Sequence, residues 1–153
     1  MRKLLLLSSA QRFQDAALLL LRVFVGLFLV WNVWDNLTSH ERMQEYAAFL
    51  AQHHFPNPSI FAPLSVYLQL LVGLAFVLGL FTRWAGILCA LHFVIAIALI
   101  DRHGGMRGIF PSGCLVAIGL YLATHGAGLI SIDTVLRAND PPRAKSGGVR
   151  LKK

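Results

Sequence analysis

The sequence predicts an all-α integral membrane protein: a four-helix bundle with a short amphipathic helix in its first outer loop. Three observations carry that fold class. The chain holds four apolar runs long enough to cross a bilayer. It is 56% hydrophobic and only 14% charged, where a soluble domain carries about 25% charged residues. Its basic residues gather at the ends of the apolar runs rather than across one surface.

The first run, residues 16–37, is interrupted by Arg22, Asn32, Asp35 and Asn36. The second, residues 62–81, has Gln69 as its one strongly polar member, and the third, residues 84–100, has His92. The fourth, residues 109–130, is softer and closes around Thr124, His125 and Gly126. Each is about as long as a helix rising 1.5 Å per residue needs to cross about 30 Å of hydrocarbon. A helix also satisfies its own backbone polar groups, which lipid requires.

Orientation follows from where Lys and Arg fall outside the runs. With both termini cytoplasmic, that side holds Arg2, Lys3, Arg12, Arg83 and the six basic residues from Arg137 onward, with Arg22 near enough to join them. The other side holds Arg42, Arg102 and Arg107. A net charge of +7 distributed in this way reads as topology signal and anionic-lipid contact, not nucleic-acid binding. The location expected is a bacterial inner (plasma) membrane, crossed several times. Trp84 at one interface, and Trp31 and Trp34 at the other, fit aromatic belts.

Between the first two runs, Thr38-x-x-Glu41 has the form of a capping box. Met43, Tyr46, Ala47 and Leu50 then recur at helical spacing, and Phe55-Pro56-Asn57-Pro58 stops the helix. The second and third runs are joined by Thr82-Arg83 alone, which demands a tight antiparallel hairpin. Residues 1–15 read as an amphipathic cytoplasmic lead-in, since four leucines before Ser8 are too few for a signal-peptide core of about 7–15 residues. One domain spans residues 16–134, and residues 135–153 read as a disordered basic cytoplasmic tail.

Ionisable and strongly polar groups at membrane depth are the default site candidates. Arg22 either snorkels to lipid phosphates or turns inward to hold an anionic or carbonyl group. Asn32 and Asp35 share one helix face, and Gln69 enters at similar depth; with Asn36, Ser112, Asp101, Arg102 and His103 they suggest a polar pocket open to the outer side. The alternative is hydrogen bonding between helices, worth about 0.6 kcal/mol per contact in membranes. His92 lies near mid-bilayer on a face of small residues, Ala85, Cys89 and Ala96, so it should point into the bundle. There it can hydrogen-bond a quinone-like carbonyl, relay a proton or bridge helices. Cys89 and Cys114 sit at different depths, too far apart for a disulfide. His53, His54 and His103 are weak candidates for a metal, with solvated loop histidines as the competing reading.

Leu21-Arg22-Val23-Phe24-Val25-Gly26-Leu27, the run Gly79-Leu80-Phe81-Thr82-Arg83-Trp84-Ala85-Gly86, and Ser131-Ile132-Asp133 together resemble the DoxX family of small four-helix membrane proteins, over residues 16–134. The Gly-Leu-Phe-Thr-Arg hairpin is the most specific part. Some relatives act in redox settings, among them the small subunit of thiosulfate:quinone oxidoreductase. Others associate with sulfur or oxidative-stress systems, or occur beside metal-responsive peptide systems. The resemblance therefore implies a redox-associated subunit that interacts with quinone and a partner oxidoreductase. The alternatives are a non-catalytic assembly partner, a small-solute channel, a homo-oligomer, or outer-side metal handling. Relatives often carry Glu where this chain has Gln69, which removes a proton acceptor. The sequence assigns no catalytic residue.

Overall fold

The structure is a computed structural model that describes residues 13–138. The first twelve residues of the expected lead-in, and the tail beyond Ala138, lie outside the described residues. Four long helices dominate: α1 (Gln14–Thr38), α3 (Pro58–Leu78), α4 (Thr82–Leu99) and α5 (Gly105–His125). A shorter α2 (His40–Gln52) joins α1 to α3, a 3-10 turn at Asp101–Gly104 leads into α5, and α6 (Ile132–Ala138) follows it. The four long helices, with the turn counted into the last, are apolar and long enough to cross a membrane. They share one core that includes Leu18, Val25, Phe76, Cys89, Leu115 and Leu122.

α2 is the amphipathic helix its sequence pattern calls for. Leu50 is buried and Met43, Tyr46 and Ala47 are half-buried, while Glu41, Arg42, Gln44 and Glu45 face outward. Its cap differs from the capping-box expectation. α1 runs on through Thr38, whose hydroxyl donates back to the Trp34 carbonyl at 3.0 Å. Ser39 is therefore the cap residue, accepting from the Arg42 N–H at 3.3 Å. The position three residues on is Arg42, not an acid, so no reciprocal bond forms. Tyr46 Oη lies 3.1 Å from Ser65 Oγ and ties α2 to α3.

The hairpin also lies earlier than expected. α3 ends at Leu78, and Thr82 already opens α4. The reason is Gly79, at φ +65°, a left-handed conformation that costs glycine nothing. The Leu80 N–H donates to the Ala75 carbonyl at 3.0 Å and the Gly79 N–H to the Phe76 carbonyl at 3.3 Å, a Schellman closure. α5 likewise stops at His125, short of the expected residue 130, because Gly126 turns the chain at φ +90°. Order continues past residue 134 into α6.

The helices pack as two pairs, each crossing at a pair of glycines. A Cβ on Gly26 of α1 would lie 2.6 Å from the Gly73 carbonyl oxygen of α3, and one on Gly86 of α4 would lie 2.5 Å from that of Gly119 on α5. Lipid tails are as apolar as leucine, so helices in a membrane gain their attraction from such close approach. The pairs share a further feature. Arg22, four residues before Gly26, lies against Gly79 at the end of α3, and Arg83, three before Gly86, lies against Gly126 at the end of α5.

Candidate functional site

Two regions hold the chemistry-bearing residues, one at each end of the bundle. At the hairpin end the centre is Arg22, 1% exposed. Its Nη1 donates to the Ala127 carbonyl and its Nη2 to the Ile130 carbonyl at 2.9 Å. The guanidinium thus faces inward and holds backbone carbonyls in the segment after α5, rather than reaching out to lipid. Asp133 completes the clasp from α6. Its Oδ1 accepts from the Phe81 N–H at 2.7 Å and its Oδ2 from the Thr82 N–H at 2.9 Å, so a distant carboxylate caps the start of α4, where a negative charge also meets the positive end of the helix dipole. The Asp133 N–H returns a bond to the Gly79 carbonyl at 2.9 Å. Asp15 Oδ1 accepts from the Leu129 N–H at 3.1 Å. Every one of these bonds joins protein to protein, which makes the clasp a fastening among α1, the α3–α4 hairpin and the chain after α5.

At the other end, a cavity of about 210 Å³ opens between α2, α3 and α4. Its apolar wall includes Leu50, Phe61, Leu68, Leu91 and Ala96, and Phe55 and Ile100 lie toward the loops. Its polar groups are the Tyr46–Ser65 pair and His92. His92 stands ten residues into α4, about 15 Å from its start and near mid-membrane. The ring is half-buried and sits edge-on to Phe93 with centroids 4.9 Å apart. No described residue hydrogen-bonds it, so its nitrogens remain available to an occupant of the cavity. The neighbouring positions on that face, Ala85 and Cys89, are buried, and the Cys89 thiol donates to the Leu115 carbonyl at 3.8 Å.

The remaining candidates do not converge. Asn32 and Asp35 are exposed on α1 beside Trp31 and Trp34. Gln69, 7% exposed, turns the other way and donates to the Leu29 carbonyl of α1 at 3.4 Å. A groove at the α2 end does carry polar groups, of which Asn36 is an expected one, while His40, Gln44, Ser59 and Tyr67 are not. Among the described residues no group of three or more His, Cys, Asp or Glu side chains is placed to hold a metal. His53 and His103 do meet, with ring centroids 6.2 Å apart, and His54 is exposed in the turn beyond. The sequence places Tyr46 only in the apolar stripe of α2 and gives Ser65 no role, because their hydroxyls meet only once the fold brings α2 and α3 together.

The DoxX family model matches residues 17–102, from the first turn of α1 to the turn after α4 and just over half of the chain. The matched part contains the cavity, both members of the Gly26–Gly73 crossing and the α3–α4 hairpin. No curated protein and no solved structure matches the chain.

Proposed function

We propose that this chain, which belongs to the DoxX family and is a multi-pass membrane protein, is a redox-associated membrane subunit that binds a quinone-type ring in the cavity beneath α2. The observation that carries this reading is the cavity itself: apolar walls at membrane depth, with an unpartnered imidazole at one side and a hydroxyl pair at another. About 210 Å³ is below the 300–1,000 Å³ of drug-sized sites and suits a single substituted ring whose tail runs out into lipid. His92 donates to one ring carbonyl, and the Tyr46–Ser65 pair offers a second polar contact. A partner oxidoreductase supplies or removes the electrons. The exposed polar pair Asn32 and Asp35 on α1 supports a partner docking there, since polar side chains at membrane depth usually face protein or water. The charge distribution supports a bacterial inner membrane with both termini cytoplasmic; a C-terminal fusion to a reporter that fluoresces only in the cytoplasm tests that orientation.

The ligand reading is tested by titrating purified protein in lipid nanodiscs with a decyl-tailed benzoquinone and following thermal unfolding. Saturation at about 100 times the dissociation constant stabilises by about 2.7 kcal/mol, a rise of several degrees. Ala96→Phe, which fills the cavity and keeps His92, is expected to abolish the shift. His92→Leu is expected to weaken binding about tenfold, the worth of one hydrogen bond in a dry site. Absence of any shift in the native protein, or an unchanged shift in Ala96→Phe, contradicts the proposal.

A further inference from the structure

The contact between His53 and His103 has no part in the clasp or the cavity wall, yet it bridges two elements that flank the cavity mouth. His53 follows the last turn of α2, and His103 lies in the 3-10 turn between α4 and α5. Two residues beyond His53 is Phe55, and three before His103 is Ile100; both line the cavity. The pair therefore joins the end of α2 to the α4–α5 turn beside the cavity.

The geometry points to a two-histidine site for a transition-metal ion of the zinc or copper class, which staples the end of α2 to the α4–α5 turn. Three features support it. His53 Nδ1 lies 2.9 Å from the Phe49 carbonyl, so Nδ1 carries the proton and Nε2 presents its lone pair, the arrangement that fixes metal-binding imidazoles. Phe49 also packs against the ring, tilted 49° with centroids 4.4 Å apart, which limits its rotation. Two imidazoles sharing one ion at about 2.0–2.1 Å per bond place their centroids roughly 5–6 Å apart, and the observed 6.2 Å needs only a small adjustment, which the exposed His103 can make while His53 stays half-buried. Arg102 Nε stands 3.5 Å from His103 Nε2. The Arg102 side chain is exposed and must swing aside for that nitrogen to coordinate. Since no third His, Cys, Asp or Glu joins the pair among the described residues, water fills the remaining positions, and micromolar rather than nanomolar binding is expected. The staple stands independently of what occupies the cavity.

The test uses the full chain in detergent, with any affinity tag removed, titrated with Cu²⁺ and followed by electron paramagnetic resonance. The expected result is one ion per chain with hyperfine coupling to two imidazole nitrogens, displaced by Zn²⁺ only in large excess, since such a site holds Cu²⁺ more tightly. Either ion should slow amide exchange at the end of α2. His53→Ala and His103→Ala should each weaken binding at least tenfold and remove one nitrogen from the spectrum, while His54→Ala should leave both unchanged. Absence of stoichiometric binding overturns the proposal, as does binding that survives His103→Ala or that depends on His54. Both substitutions fall outside the core, so circular dichroism of the variants should match the native chain.

Discussion

Arg22→Leu is expected to destabilise the protein by about 3 kcal/mol or more. Leucine fills much of the same space but strips the donors from the Ala127 and Ile130 carbonyls. Each buried polar group left without a partner costs about 1–3 kcal/mol, and the bond to Ala127 is buried and that to Ile130 partly so. Arg22→Lys should fall between the two, because a single ammonium cannot span both carbonyls as a planar fork does. The variants should be compared by reversible unfolding in mixed micelles of increasing denaturing-detergent fraction. If Arg22→Leu unfolds within about 0.5 kcal/mol of the native chain, the range of ordinary surface substitutions, the side chain is a lipid-facing snorkel and the clasp is not a fastening.

The second large effect is expected at the crossing of α4 and α5. Gly86→Leu should prevent the pair from closing, because even the first carbon of the new side chain would lie 2.5 Å from the Gly119 carbonyl oxygen and 2.7 Å from the Ala123 nitrogen. Both are backbone atoms that cannot rotate away. Gly86→Ala should cost about 1–3 kcal/mol, the usual range for overpacking. Gly113 supplies the internal comparison. It lies on α5, and a Cβ added there would meet nothing within 4 Å, so Gly113→Ala should stabilise slightly, by about 0.5–1 kcal/mol from helix propensity. Opposite signs at two glycines of the same helix pair would separate close packing from propensity. Equal, small effects at both would mean that the crossing does not hold the pair together.

The four spans and the buried stripe of α2 were legible because hydrophobic period and length are local properties. Met43, Tyr46, Ala47 and Leu50 follow one face, and no distant residue is needed to see it. The hairpin was displaced by three residues because an apolar run continues through Gly79-Leu80-Phe81, while the backbone turns at a glycine that hydropathy counts as neutral. Arg22 could be flagged as costly at membrane depth but not assigned, because its carbonyl partners lie more than a hundred residues later in a stretch that reads as the soft end of the fourth span. Asn32, Asp35 and Gln69 share a depth, but depth does not give rotation: Gln69 turns to Leu29 and the other two turn outward. The Gly-Leu-Phe-Thr-Arg run and the Ser-Ile-Asp run are far apart in the chain and meet at Asp133, where the carboxylate caps α4. The most specific part of the family resemblance is thus a fastening, and the cavity that carries the functional proposal is built, His92 apart, from residues that look commonplace in sequence.

The arrangement also separates stability from binding. The clasp and the glycine crossings hold the bundle at its hairpin end and along its length, while the cavity lies under α2, whose one side-chain hydrogen bond to α3 among the described residues is the Tyr46–Ser65 pair. Substitutions at Arg22 or Gly86 should therefore lower unfolding midpoints without selectively altering ligand affinity. Substitutions at Ala96 or His92 should do the reverse.

The most direct measurement is native mass spectrometry of the chain released gently from its own membranes, with bound small molecules and partner proteins identified together. A stoichiometric quinone is expected on the native chain, with an oxidoreductase retained beside it, and no quinone on Ala96→Phe extracted in the same way. A native chain that carries no quinone, or an Ala96→Phe chain that carries as much, would contradict the claim that this cavity is the protein's working site.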